Sequence, residues 1–185
     1  AATEGSGGRG EFSAACQRMG FYLDRRGILR VRELEQWPWL AHGFSTRRAG
    51  DLAAAPHQQR FLRDLGAGGM KPFTLRQIHS AIARVVEPGT AASLRGDILL
   101  TARAGLLVGV KTADCLPVLL VDARRRVVSA VHAGWRGLVR RVVEKAAGEM
   151  RRHFGCDPAD LHAAIGPGIQ ACCFEVGPEV LAEFH

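Results

Sequence analysis

Three apolar runs rich in valine and leucine, Leu106 to Val110, Leu116 to Val121 and Val127 to Val131, dominate the middle of this chain. They lack the alternation of a half-exposed strand, which predicts strands covered on both faces. The polar residues Asp122 to Arg126 separate the last two runs and suit a hairpin connection. Cys115 falls just before the second run and His132 just after the third. Each strand thus carries one reactive side chain to an end of the sheet. From Leu138 the period lengthens: Val139, Val142, Val143, Ala146, Met150 and Phe154 share one helical face, and Arg140, Arg141, Glu144, Lys145 and Arg151 share the other. Gly134 and Gly137 let the backbone turn between strand and helix.

The flanking segments extend the alternation of strands and helices. Residues 1–18, glycine-rich at the start, read as a disordered leader, and 19–185 as a single domain. Phe21-Tyr22-Leu23 and Ile28 to Val31 flank Asp24-Arg25-Arg26-Gly27 as a first hairpin, and Pro38 argues against a helix at Trp37-Pro38-Trp39. A short strand then leaves into the loop Ser45-Thr46-Arg47-Arg48, whose arginines and hydroxyls suit either an anion or solvent. Pro56 to Leu65 reads as a helix stopped by Gly66, Phe73 to His79 as a strand, and Ala81 to Val86 as its partner. Gly96 to Thr101 opens another strand with an acid, Asp97, at its mouth. Leu161 to Ile165 is a late strand, Gly166-Pro167-Gly168 an irregular loop, and Pro178 opens a final helix.

The chain has 185 residues, enough for one domain with a substantial core, and a hydrophobic fraction of 47%. No apolar run reaches the roughly 20 residues that cross a bilayer, and no signal peptide is visible, which points to the cytoplasm and away from membranes. The net charge is +7, yet aromatics make up only 6% and the arginines are scattered, so a surface attracting small anions is expected rather than a nucleic-acid partner. Five cysteines, at 16, 115, 156, 172 and 173, form an odd set that argues against a disulfide framework.

His79, Cys115 and His132 all lie at predicted strand ends beside turns. Two imidazoles and a thiolate suit zinc, whose catalytic sites commonly use three protein ligands and leave a position open. The same residues also permit a metal-free reading, with Cys115 as nucleophile and a histidine as its base.

Several segments in order resemble one family: Gly43-Phe44-Ser45-Thr46-Arg47, Arg76-Gln77-Ile78-His79, Gly96-Asp97 to Thr101, Thr112-Ala113-Asp114-Cys115-Leu116-Pro117, His132-Ala133-Gly134-Trp135-Arg136-Gly137, and Ile165-Gly166-Pro167 followed by Cys172-Cys173-Phe174-Glu175-Val176-Gly177. They are similar to the laccase-domain proteins once called polyphenol oxidases and now associated with purine nucleoside phosphorylase and adenosine deaminase activity. The resemblance runs from about Ala41 onward. It implies an α/β layered sandwich with mixed central sheets flanked by helices, and a zinc ligand set of His79, Cys115 and His132. It further implies phosphorolysis of adenosine, inosine, guanosine and methylthioadenosine, plus adenosine deamination. Members of the family usually continue for several tens of residues beyond a position like His185, into further strands that are expected to be lacking here.

Under that resemblance, zinc would acidify a water for deamination, with Gln77 or Asp114 handling the proton. Arg47 and Arg136 are candidates to hold phosphate, since a guanidinium fork matches its oxygens. Ser45, Cys172 and Glu175 are candidates to line the substrate pocket. Two other chemistries remain: a cysteine hydrolase using Cys115, and a copper phenol oxidase. The latter fits poorly, because the chain has seven histidines and no His-x-His pair.

Overall fold

The structure, a computed structural model, describes residues 20–91 and 93–184. The expected leader and Cys16 lie outside them. The chain is built from two compact units that divide between Gly69 and Met70.

In the first unit, β1 (Phe21–Leu23) and β2 (Leu29–Val31) form the expected antiparallel hairpin, with Phe21 opposite Val31. The Asp24 carboxylate fixes the turn: it accepts from the amides of Arg26 and Ile28 at 2.9 and 2.8 Å and from the Arg30 guanidinium at 2.8 Å. The short strand expected near Phe44 is a single bridge to Leu29. α1 (Ala55–Leu65) carries Pro56 in its first turn and ends where Gly66 turns left-handed at φ 89°.

The second unit is organised around a five-stranded mixed sheet in the order β4-β5-β8-β7-β9. Its strands are β4 (Ala83–Val85), β5 (Ile98–Thr101), β7 (Leu116–Asp122), β8 (Val127–Ala133) and β9 (Leu161–Ile165). β4 runs parallel to β5, and the other pairings are antiparallel. Side chains alternate across the sheet at β5: Ile98 and Leu100 face one core with Val131, Val142 and Met150, while Leu99 faces a second with Leu75 and Val86. Burial on both faces explains why no polar alternation was visible there.

Three expectations need correction. Leu106 to Val110 shrinks to β6 (Leu107–Val108), which pairs in parallel with β3 (Pro72–Phe73) outside the main sheet. Gly105, at φ 80°, bounds β6 on one side and Gly109 bounds it on the other. The strand expected over Phe73 to His79 likewise stops at Phe73, so Ala83–Val85 pairs with β5 instead. The expected single helix after the glycine-rich turn is two, α2 (Trp135–Val139) and α3 (Val142–Phe154), because Arg141 adopts a left-handed conformation, φ 56° and ψ 48°. Within α3 the expected face is buried: Val142, Ala146 and Met150 have no exposed surface.

β9 is an edge strand with Ile165 exposed. It leads through a turn to α4 (Pro178–Ala182), the short helix predicted from Pro178. Among the described residues, no helix is long and apolar enough to cross a membrane.

Candidate metal centre

The side chain that assembles the site is Asp97, fully buried just before β5. Its carboxylate accepts from the amides of Ile78, His79 and Ser80, at 3.3, 3.1 and 2.7 Å, and from the Ser80 hydroxyl at 2.6 Å. It also accepts from His132 Nδ1 at 2.8 Å. Burial alone would push this carboxyl up, but hydrogen bonds from Ser80, His132 and the loop amides outweigh it and hold the group below the usual carboxylate range. Asp97 is therefore ionised, and an ionised acceptor at Nδ1 assigns the proton there and frees His132 Nε2 as an electron-pair donor.

One carboxylate thus places both histidines. His132 sits within β8, where the register pairs it with Pro117, rather than beyond the strand as expected. His79 rides on the loop that wraps Asp97, in a left-handed conformation at φ 56°, and its carbonyl accepts from the Arg140 guanidinium at 3.1 Å. The two rings meet edge to face, with centroids 4.9 Å apart.

The third member arrives through strand register. Leu116 pairs with Ala133, so one step further along the two strands Cys115 comes against Gly134. The ligand atoms of His79, Cys115 and His132 then lie within 4.8 Å of one another. A Cβ on Gly134 would stand 2.9 Å from His79 Cδ2 and 3.0 Å from Cys115 Sγ, so a side chain here would force those two donors to shift. Glycine is needed here for clearance, since its φ of −81° is ordinary. Two imidazole nitrogens and one sulfur converge beside Gly134, and one imidazole is oriented by a carboxylate. That donor set fits a three-ligand zinc centre with one position left for solvent or substrate. Burial first, then the charges of Asp114 and Asp97, push the Cys115 thiol up from its ordinary value.

The other candidates differ in their surroundings. The Gln77 amide is committed to Lys111 in both directions, donating to its carbonyl and accepting from its amide, each at 2.7 Å. Asp114 is exposed beside Cys115, and its carbonyl accepts from the Ile169 amide at 2.8 Å. Arg136 is exposed and lays its guanidinium over the Trp135 ring at 4.2 Å, in a groove shared with Val139, Arg140 and Glu183. Cys172 and Glu175 are exposed after β9, and Ser45 and Arg47 are exposed residues of the first unit. Asp97 as organiser, Gly134 as clearance and Arg140 as a tether were not singled out in the sequence. For Asp97 a signal existed: an acid directly before the apolar run Ile98-Leu99-Leu100 enters a buried strand, and a buried carboxylate needs partners.

The family model for multi-copper polyphenol oxidoreductase laccase matches residues 42–185. The chain belongs to that family. Among curated relatives, a purine nucleoside phosphorylase of Clostridium acetobutylicum is 43% identical over 111 residues, which is 60% of this chain and 47% of that protein. A purine nucleoside phosphorylase of Deinococcus radiodurans is 35% identical over 162 residues, covering 78% of this chain and 62% of the relative. Adenosine deaminase RL5, from an unknown prokaryotic organism, is 41% identical over 118 residues, 59% of this chain and 45% of its own length. The chain therefore spans less than two thirds of each of these three family members. Among solved structures, YlmD from Geobacillus stearothermophilus superposes with a TM-score of 0.73 at 25% identity, covering 89% of this chain and 70% of that one. The laccase-family fold is thus a mixed α/β fold with a five-stranded sheet and flanking helices, as the resemblance implied.

Proposed function

We propose that this chain carries the zinc centre of a purine nucleoside phosphorylase that also deaminates adenosine, with His79, Cys115 and His132 as ligands. The observation that carries the reading is the convergence of those three donors around Gly134, with His132 oriented by Asp97. The names of the relatives supply the reaction: two are purine nucleoside phosphorylases and one an adenosine deaminase. Adenosine, inosine, guanosine and methylthioadenosine are the proposed nucleosides, with phosphate as co-substrate.

When bound, zinc supplies Lewis acidity at the open position. The chain's own residues do the rest. Asp97 keeps the Nδ1 proton of His132 fixed, so Nε2 stays available. Gln77 is spent on Lys111 and holds the loop, which leaves the exposed Asp114 carboxylate as the group that takes or returns a proton at the reacting face. Arg136, stacked on Trp135, presents the free edge of its guanidinium to a phosphate oxygen, and Arg47 is the second phosphate candidate. Ser45, Cys172 and Glu175 remain candidates for contact with the nucleoside. Four cysteines described as free thiols go with a cytoplasmic setting.

The metal-free hydrolase using Cys115 and a histidine is separated by its response to reagents: it should survive zinc removal and be lost on thiol alkylation. The copper oxidase would need several imidazole clusters, and among the described residues His79, Cys115 and His132 form the one group placed to hold a metal. The deciding experiment is chromatography of products from adenosine, with and without phosphate, using zinc-loaded protein and a His132→Ala control. Adenine that appears only with phosphate, or inosine that appears regardless, each lost in the variant, supports the proposal. No product above the variant's background overturns it.

A further inference from the structure

Between β9 and α4 the backbone curls tightly: the amides of Cys173 and Phe174 both donate to the Gln170 carbonyl, at 2.9 and 3.0 Å. Neighbouring side chains in an extended strand point to opposite faces, but this turn brings two adjacent ones together. Cys172 Sγ and Cys173 Sγ lie 3.3 Å apart, and both residues are exposed. The pair is in hydrogen-bonding contact, and that bond, followed by the charge of Cys172, pushes the Cys173 thiol up. Free, solvent-facing thiols this close meet the first requirement for intramolecular oxidation: the second sulfur is in place before the first reacts.

We infer that Cys172 and Cys173 form a redox site, a vicinal dithiol that a small-molecule disulfide oxidises to an intramolecular ring and that a dithiol reductant reopens. One thiolate attacks a sulfur of the oxidant, forming a mixed disulfide and expelling one small thiolate, which takes up the proton released. The neighbouring thiol, losing its own proton, attacks the protein sulfur of that mixed disulfide and expels the second small thiolate. In sum, two protein thiols become one protein disulfide, and one small disulfide becomes two small thiols.

The ring cannot be relaxed. A trans peptide holds neighbouring Cα atoms about 3.8 Å apart, short of the roughly 4.4 Å lower limit of ordinary disulfides. Exposed disulfides under strain are the labile kind, so the site should open as readily as it closes. Closure must also change the backbone angles of Cys172 and Cys173 and so disturb their turn. The turn is tied to the segment that leads through Cys115 into β7, because Ile169 donates to the Asp114 carbonyl at 2.8 Å. Gly168 packs there too, where a Cβ would stand 2.9 Å from the same carbonyl oxygen.

The test treats the full chain with oxidised glutathione, quenches with an alkylating agent, and maps the peptide holding both cysteines by tandem mass spectrometry. The expected product has lost two hydrogens at Cys172 and Cys173, carries no glutathione, and is alkylated only after dithiothreitol. Cys172→Ser and Cys173→Ser should each retain glutathione on the remaining sulfur, since nothing is left to expel it. Amide exchange at Cys173 and Phe174 should rise on oxidation of the wild type and stay unchanged in both variants. A wild-type pair that stays fully alkylatable overturns the inference. So does one that accumulates glutathione as the variants do, or that links to a third cysteine.

Discussion

Asp97 and His132 are joined twice: His132 Nδ1 donates to the Asp97 carboxylate at 2.8 Å, and the His132 amide donates to the Asp97 carbonyl at the same distance. The first bond sets the ring, and the second sets the strand that carries it. Asp97→Asn keeps the shape but replaces an ionised acceptor with a neutral amide. The expected outcome is a loss of zinc affinity by about 10–100-fold, read by competition with a chromophoric chelator. Unchanged affinity would show that the carboxylate serves the loop alone.

Gly134→Ala tests clearance rather than charge. The added methyl would press on His79 and Cys115 at 2.9 and 3.0 Å, so the donors must separate and zinc binding should be lost. Gly148→Ala is the matched control. It lies mid-helix in α3 with nothing within 4 Å of a new Cβ, and it should stabilise the fold by about 0.5–1 kcal/mol. Denaturant titration of both variants beside a zinc assay separates the two effects. An alanine at 134 that binds zinc normally would sink the packing argument.

Ser129 lies in β8 with its hydroxyl buried and without a hydrogen-bond partner among the described residues. A buried polar group left unsatisfied costs about 1–3 kcal/mol. Ser129→Ala should therefore unfold at equal or higher denaturant than the wild type, an unusual result for a core substitution. A clear loss of stability would mean that the hydroxyl has a partner.

Cys156 governs an alkaline weakness. Burial first, then its hydrogen bond to Asp122 and that residue's charge, push the thiol up to about 12 from 9.0. A value raised in the folded state means that the unfolded chain loses its proton first as pH rises. Its stabilising contribution is thus complete below the ordinary thiol value and lost as pH climbs from 9.0 to about 12. Equilibrium unfolding across that window should show a decline that is shallower in Cys156→Ala. Parallel pH profiles for the two proteins would refute the assignment.

His42 acts on the acid side. Burial, then the nearby Arg30 charge, lowers its value, while its ring accepts the Val31 amide at 3.1 Å. A lowered value means that the unfolded chain takes up the proton first, so the contribution is complete above 6.5 and lost as pH falls below it. His42→Gln should flatten that part of the stability profile. An unchanged slope would show that another group titrates there.

How much was legible follows from the range of each interaction. The β7–β8 hairpin needs only a short polar connection and two apolar runs, all local, and it formed, with Asp122 drawn into β7 opposite Val127 and four residues, Ala123 to Arg126, left in the turn. α1 and its stop at Gly66 are set by Pro56, the apolar spacing and one left-handed residue. By contrast, the break between α2 and α3 falls at Arg141, whose left-handed backbone no residue preference announces. The pairing of β3 with β6 joins Pro72 to Leu107 across a long stretch of intervening chain, and short runs do not state their partners.

The sequence by itself determined which atoms were available for chemistry: His79, Cys115 and His132, a glycine-rich turn after the last of them, and a family resemblance that the family match over residues 42–185 confirms. Only the tertiary structure decided that these atoms meet, because Asp97 pulls the His79 loop and the His132 ring onto one carboxylate while strand register brings Cys115 to Gly134. Donor identity is written residue by residue. Convergence is a property of register and of a buried charge that must find all its partners at once, and neither exists until the sheet has closed.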